Sequence, residues 1–423
     1  MKSSRGKIAR ARPSVPTRQP RLRVAPVEVK PLRAVNRMRC SRGTVLSMFS
    51  GCGGMDLGFR MAGFDVIWAN DVDPDACATY ERNLCKRGRR HLVVGDVSSL
   101  SPPSSLKDGV DVLIGGFPCQ AFSNAGRRRG VNDARGLLYK HCMRFIAELR
   151  PRFTVFENVR GFLAIGGEQK LLVEEVCDEL RGLGYEVQLG LVNAANYGVP
   201  QNRLRTVIVG SLLGRCAESF RFPTPVSGVD LTLGALLPVP EGVANQQDIV
   251  TLNPQAYQIG RHVPEGGSWK DIPDHALPAR LKHIRANMRK YRWPNFYRRF
   301  GRDEIAGTIT AAFKPENAGI WHPTERRPFS VREVARIQSF PDDFVFVGRT
   351  VKSMYAMIGN AVPPLMGKAF ADAIALAMRG RSTNSPIGSY WSIKRSAGII
   401  RPSLGSLRYD PSEAEVDLFQ HAG

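Results

Sequence analysis

Between residues 44 and 212, short apolar runs alternate with stretches of helical period. Residues 44–49 read as a buried strand, followed by a glycine turn and a helix over about 55–62. Residues 64–69 make a second strand that runs out to Asp71. Asp73-Pro74 opens the next helix, with the aspartate as its cap and the proline in its first turn. The runs at 92–94, 110–114 and 153–156 supply further strands, and helices over roughly 136–149 and 168–182 intervene. Residues 185–192 and 206–209 read as a closing hairpin. Strand–helix alternation of this kind predicts an α/β fold, a parallel, doubly wound sheet with both faces covered by helices. After Phe220 the pattern changes. Residues 220–310 are irregular and rich in proline, with no sustained period. Helical patterning returns at 330–340 and 362–378. No internal repeat is visible.

Composition adds a partner. The 423-residue chain is long enough for two folded domains. Its net charge of +22 points to a polyanion. Over half of that excess lies in residues 1–43, which hold 13 Lys/Arg against one acid. That Arg- and Pro-rich segment reads as a disordered tail, without the apolar centre of a secretory signal. Residues 381–423 mix Ser, Gly, Pro and charges and read as a second, loosely ordered tail. No apolar run is long enough to cross a membrane. The eight cysteines stand singly, so neither a zinc site nor a disulfide framework is expected, and a reduced, cytoplasmic setting is the simplest reading.

The densest chemical signal is Gly115-Gly116-Phe117-Pro118-Cys119-Gln120. A stiff glycine-proline turn directly after an apolar run holds Cys119 at the rim of a sheet, where α/β enzymes do chemistry. Glu157 follows at the end of another such run, and a thiol and a carboxyl on two strand ends are a pair for covalent catalysis. Taken alone, Cys119 fits a small buried hydrophobe equally well. The spacing of Gly51, Gly53 and Gly54 lets backbone approach a ligand and offers free helix amides, though it is not the GxGxxG fingerprint. Asp71 ends the second strand, the place from which an acid grips ribose hydroxyls. Residues 280–302 carry nine Lys/Arg, no acid and five aromatics. That mixture suits phosphate contact and base stacking, or a solvated basic helix.

In order along the chain, these segments resemble the DNA (cytosine-5) methyltransferases of bacterial restriction-modification systems or of solitary type. The resemblance covers roughly residues 44–212 and 322–378. It rests on Phe49-Ser50-Gly51-Cys52-Gly53-Gly54, Asn70-Asp71-Val72-Asp73, Gly95-Asp96-Val97, Pro118-Cys119-Gln120 and Asp133-Ala134-Arg135-Gly136. It continues through Glu157-Asn158-Val159, Gln201-Asn202-Arg203-Leu204-Arg205, the stretch from Arg332-Glu333 to Phe340-Pro341, and Gly359-Asn360-Ala361-Val362-Pro363.

The resemblance implies a Rossmann-like S-adenosylmethionine-dependent fold with a smaller, irregular target-recognition domain. The expected division is tail 1–43, catalytic and cofactor-binding part 44–219, recognition domain 220–321, returning catalytic part 322–380 and tail 381–423. The implied cofactor is S-adenosyl-L-methionine, with S-adenosyl-L-homocysteine as product and no metal. It would be held by Phe49, Gly51, Gly53, Gly54, Asp71, Asp73, Asp96, Pro118, Asn360 and Val362. Asp71 is a small departure, since many members have Glu there. Cys119 is implied as the nucleophile that adds to carbon 6 of cytosine. Glu157 would hold the ring's nitrogen edge as a protonated acid, or else serve as an arginine's ion-pair partner. Arg203 and Arg205, two apart on a strand and so facing one way, would meet the base and the catalytic loop, or else either would be structural. Residues 121–131 suit a mobile loop that closes on DNA, with Gln120, Ser123, Arg127 and Arg128 at a flipped nucleotide. Arg285, Arg289, Lys290 and Arg292 are the implied contacts of the recognition domain. Arg336 and Gln338 would brace that domain. The implied partner is double-stranded DNA, met by a monomer in the nucleoid, and in restriction systems an endonuclease acts on the same site. A transfer-RNA methyltransferase of this fold usually carries Cys-Phe-Thr, which the chain lacks, and a silent homologue would be expected to have lost Cys119 or Glu157.

Overall fold

The structure, a computed structural model, describes residues 25–85, 90–107, 109–118, 138–165, 171–216, 218–288, 296–315, 319–385 and 387–388. The chain opens with β1 (Ala25–Pro26) and α1 (Leu32–Arg37), then β2 (Thr44–Met48), α2 (Gly54–Met61), β3 (Asp65–Asp71), α3 (Pro74–Leu84) and β4 (Leu92–Val94). Next come β5 (Val112–Gly115), α4 (Leu138–Leu149), β6 (Phe153–Val159), α5 (Leu172–Gly182), β7 (Tyr185–Asn193) and β8 (Leu204–Leu212). The irregular region holds β9 (Val229–Asp230) and the short helices α6 (Leu233–Leu236), α7 (Pro254–Gly260) and α8 (Ala279–Ala286). The chain returns through α9 (Val331–Ile337), α10 (Val351–Asn360) and α11 (Pro364–Ala377).

The main sheet has the order β4-β3-β2-β5-β6-β8-β7. β2 to β6 run parallel, and β8 inserts antiparallel between β6 and β7. Alternate side chains feed two cores. Val112 and Ile114 of β5 join the core roofed by α2 and α9 to α11, while Leu113 joins the core roofed by α4 and α5. Burial on both faces is why these strands read as nearly continuous apolar runs. Asp73 caps α3 as expected, its carboxylate accepting the amides of Asp75 and Ala76.

Two expectations change. The tail read as disordered through residue 43 is structured from Ala25. β1 pairs with β9, and α1 buries Leu32 and Val35 while Asp343 accepts the Leu32 and Arg33 amides at 2.6 and 2.9 Å. Two apolar residues at helical spacing suffice here, because a carboxylate from elsewhere in the fold caps the helix. The second tail starts later than expected as well. Thr383 and Ser385 donate hydroxyl hydrogen bonds to the Phe222 and Pro223 carbonyls. Residues 1–24 and 389–423 lie outside the described residues.

Candidate active site

The strand order reverses between β2 and β5, which pair with Met48 opposite Gly115. Two loops therefore leave neighbouring strand ends at the switch point of the sheet, the place where open α/β sheets bind ligands.

The loop after β2 carries the glycines. Phe49 leaves the strand at φ 55°, and Gly53 stands at φ 87°. A Cβ on Gly53 would lie 2.3 Å from Leu84 and 2.8 Å from the Tyr80 ring, and one on Gly54 would lie 2.3 Å from the Val362 carbonyl oxygen. Glycine is required at both positions by close approach, and at Gly53 by the left-handed backbone as well. Asp71 ends β3 beside this loop. Its carboxylate accepts the Gly51 amide at 2.7 Å and the Asp73 amide at 2.9 Å. Burial pushes the Asp71 carboxyl up from its ordinary value, against those hydrogen bonds. The Asp73 carboxylate is occupied with capping α3. Asp96 is exposed beyond β4, accepts the Ser98 amide at 2.8 Å and is held below the usual carboxylate range by that bond. Asn360 is exposed at the end of α10, and Val362 packs by its backbone on Gly54. Sequence reasoning passed over Val72 and Val94, which are 64% and 58% exposed at the ends of β3 and β4. The signal available was, for Val72, an apolar residue set between two acids just past a strand and, for Val94, an apolar strand end followed by Gly95-Asp96.

The loop after β5 carries the thiol turn. Phe117 is buried against Phe156 and Phe162, with ring centroids 5.6 and 5.7 Å away. Its carbonyl accepts a hydrogen bond from the Asn158 amide at 3.1 Å. Pro118 follows, exposed. Cys119, Gln120, Ser123, Arg127, Arg128 and the Asp133-Ala134-Arg135-Gly136 segment lie outside the described residues. Glu157, at the end of β6, is buried and paired with Arg205, Nε to Oε1 at 2.7 Å. A Cβ on Gly116 would stand 3.7 Å from its other carboxylate oxygen, so the pair lies beside the turn. Burial lowers the Arg205 pKa, and Glu157 opposes that shift.

Arg203 makes structural contacts, the second of the two roles expected for it. It precedes β8 and sends its guanidinium into the joint with the returning segment. It donates to the carbonyls of Ile309 at 2.7 Å, Gly359 at 2.8 Å and Ala361 at 3.1 Å. The alternation rule does not carry across, because Arg203 lies outside the paired strand. Gln338 donates to the Ile358 and Ala361 carbonyls, and Arg336 to those of Leu236 and Pro238. Together they tie the recognition region and α10 to the sheet.

In the recognition region, Arg285 is spent locally. It donates to the Lys270 and Ile272 carbonyls and pairs with Asp274. Arg289, Lys290 and Arg292 lie outside the described residues. One grouping among the described residues has metal-ligand spacing, His322 with Glu325 and Glu333. Its donors are engaged. Arg327 donates to both oxygens of Glu333 at 2.8 Å, and His322 Nδ1 accepts the Glu325 amide at 3.0 Å.

A family model described as C-5 cytosine-specific DNA methylase matches residues 43–376. The type II methyltransferase M.NgoFVII of Neisseria gonorrhoeae is 37% identical over 334 residues, covering 76% of this chain and 83% of its own. M.Eco47II of Escherichia coli is 36% identical over 336 residues, 76% of each. Among solved structures, S. pombe Dnmt2 methyltransferase superposes with a TM-score of 0.54 at 19% identity, over 79% of this chain and 98% of its own. A Spodoptera frugiperda DNMT2 mutant gives a TM-score of 0.56 at 18% identity, over 78% and 99%. The last two show likeness of fold alone. The matched span takes in both loops at the switch point and the segment that returns to cover them, and the chain belongs to the C-5 cytosine-specific DNA methylases.

Proposed function

We propose that this S-adenosylmethionine-dependent enzyme methylates carbon 5 of cytosine within a short DNA sequence, with Cys119 as nucleophile and Glu157 with Arg205 as the clamp on the base. One observation carries the assignment of residues. The Asn158 amide ties the Phe117 carbonyl, two residues before Cys119, to the end of β6 where Glu157 and Arg205 are paired.

Carbon 5 of cytosine is a poor nucleophile. Addition of the Cys119 thiolate at carbon 6 breaks the ring conjugation and makes carbon 5 enamine-like. Glu157 holds nitrogen 3 and the exocyclic amine, delivering a proton to nitrogen 3 as the carbon–sulfur bond forms. Glu157 is ion-paired in the structure, so that proton is acquired as the base enters and shares the carboxylate with Arg205. Once carbon 5 carries the methyl group, loss of its proton, expulsion of the thiolate and return of the nitrogen 3 proton to Glu157 restore the ring. The site fits the cofactor: the space beside Gly51 in the turn is open, and the Asp71 carboxyl stands next to it. Asp71 would hold the ribose, and Phe49, Val72 and Val94 would cover the adenine. Asp96, Asn360, Val362 and Pro118 would frame the remainder, and Asp73 would act by holding α3 in place. When bound, S-adenosylmethionine supplies an electrophilic methyl group. The target carbon is inaccessible in stacked duplex, so the base is flipped out, which costs a few kcal/mol. The setting this reading implies is a cytoplasmic monomer acting on nucleoid DNA, where a restriction endonuclease cutting the same site would be its companion.

The test is bisulfite sequencing of plasmid DNA from a host without cytosine methylation of its own, with Cys119→Ala in parallel. Methylation at one short motif, lost in the variant, is the expected result. Full methylation by the variant would overturn the covalent route. No methylation by a folded protein that binds S-adenosylhomocysteine would move the reading to RNA.

A further inference from the structure

The recognition region holds a group of cations that the sheet rim does not use. Arg261 closes α7, with His262 next to it. The turn from Trp321 to Pro328, bridged at its two ends, lies against that helix. The Trp321 ring fills the space beside Gly260, 1.7 Å from where a Cβ would stand. Arg326 is exposed in this turn and lines an open groove of about 420 Å³ together with Tyr257 and Gln258 of α7. Arg299 reaches the turn from below. It is only 6% exposed, its guanidinium lies 5.7 Å from the centre of the Trp321 ring, and it donates to the Glu325 carbonyl at 3.1 Å. Its Nε has no partner.

These charges repel one another. Burial and then Arg326 lower the Arg299 pKa, against a smaller opposing pull from the Glu265 carboxylate, while burial followed by Arg261, His275 and Arg326 lowers that of His262. Three acids of the region are held by other arginines: Glu265 by Arg302, Glu304 by Arg298 and Glu325 by Arg327. Among the described residues, no ion pair is made by Arg261, Arg299 or Arg326. A buried arginine that makes no ion pair is costly, and an arriving anion relieves the repulsion.

We infer that Arg261, His262 and Arg326, with Arg299 behind them, form a clamp for a phosphate of the DNA backbone. The inference rests on the reading that duplex DNA is the substrate. A phosphodiester fits because it only accepts hydrogen bonds and these groups donate them. The groove lined by Arg326 and Arg327 is open, so a polymer can pass along it beside Arg261 and His262 at the end of α7, and the exposed Tyr257 ring offers apolar surface to a sugar. This places a phosphate contact on α7 and the turn from Trp321 to Pro328, with Arg299 the one member drawn from the 280–302 run, while Arg285 of that run is already bound to Asp274.

The experiment is anisotropy of a short labelled duplex carrying the methylated motif, titrated with wild type and the Arg261→Ala/Arg326→Ala double variant over about 50–200 mM KCl. The slope of log K against log salt should fall by about 2, one per lost contact, with affinity roughly 10- to 100-fold weaker near 0.1 M. S-adenosylhomocysteine binding and the thermal midpoint should be unchanged, which separates a lost contact from a lost fold. Arg326→Glu should weaken binding further than Arg326→Ala. An unaltered slope in the folded double variant overturns the clamp while leaving the methyltransferase reading in place. A wild-type protein without salt-dependent DNA affinity overturns that reading, and the clamp with it.

Discussion

The rim of the sheet and the recognition region use arginine in opposite ways. At the rim each guanidinium has fixed partners out of water: Arg205 has the Glu157 carboxylate and Arg203 three carbonyls. In the recognition region and the turn that leaves it, Arg261 and Arg326 make no ion pair among the described residues, and Arg299 is buried with one carbonyl acceptor. The first arrangement fixes geometry, which matters most to a reaction that needs atoms held in line. The second gives attraction that tolerates changes of register and responds to salt. Substitutions at the rim should therefore strike turnover or folding, and substitutions in the recognition region should strike affinity.

Glu157→Gln breaks the comparison most sharply. The amide keeps the shape and can still accept from Arg205, but it has no proton to deliver. Turnover should fall by about 10²–10⁴-fold, with DNA affinity and its salt slope nearly intact, as read by single-turnover methyl transfer beside anisotropy. Retained turnover would remove Glu157 from the chemistry. Arg205→Met tests the same pair through stability. It leaves a buried carboxylate without its partner, a loss of about 3–5 kcal/mol, to be read from urea unfolding.

Gly53→Ala comes next. Its methyl group would meet Leu84 and Tyr80 at 2.3 and 2.8 Å, on a backbone at φ 87°. Overpacking costs about 1–3 kcal/mol and the left-handed conformation about 1–2 more. Calorimetry with S-adenosylhomocysteine should show weak or no binding, and unchanged affinity would mean the turn does not cradle the cofactor. Beneath that turn lies a fully buried carboxyl, Asp56, bonded to Ser47 at 2.9 Å and Tyr80 at 2.8 Å. Burial raises its pKa from 3.8 to about 6. A carboxyl raised on folding binds its proton more tightly in the folded state. Its stabilising contribution is present below about pH 4 and is lost as pH rises through 6, by roughly 3 kcal/mol in all. Asp56→Asn should flatten the stability profile over that window. A profile as steep as that of the wild type would assign the dependence elsewhere.

What was legible in the sequence follows the same division. The sheet could be read because its strands are buried on both faces and bounded by Gly, Pro and Asp, all local signals. The family could be read because the glycine turn, Pro118-Cys119-Gln120 and Glu157 follow one another in a known order. α10 was missed, since Val351–Asn360 is held by Thr350 capping and by side chains from distant segments, with Gly359 packed on the Thr310–Ala311 backbone. Segment α1 was missed because its capping carboxylate is more than 300 residues away. The cation group was invisible because Arg261, Arg299 and Arg326 are far apart along the chain and meet only through the packing of Trp321 on Gly260. Charge density along the sequence pointed to 280–302, which holds Arg299 but neither Arg261 nor Arg326, and where Arg285 proved to be locally spent.

The smallest effects sharpen the comparison by their absence. Removing residues 2–24 takes away eight Lys/Arg but none of the contacts of α1. The thermal midpoint should hold, with at most a modest loss of DNA affinity that vanishes at high salt. Extending the deletion through residue 40 removes Leu32 and Val35 from the core and leaves Asp343 without the two amides it accepts. At about 1.5–3 kcal/mol for each buried apolar side chain, that longer deletion should lower the midpoint clearly. Equal midpoints for the two truncations would show that α1 adds nothing to the fold. Arg285→Ala should do least of all to DNA binding, because its guanidinium is already taken by Asp274 and by the carbonyls of Lys270 and Ile272. A loss of salt slope in Arg285→Ala equal to that of Arg326→Ala would mean that partnered and unpartnered arginines serve DNA alike, and the distinction between the two regions would then not govern binding.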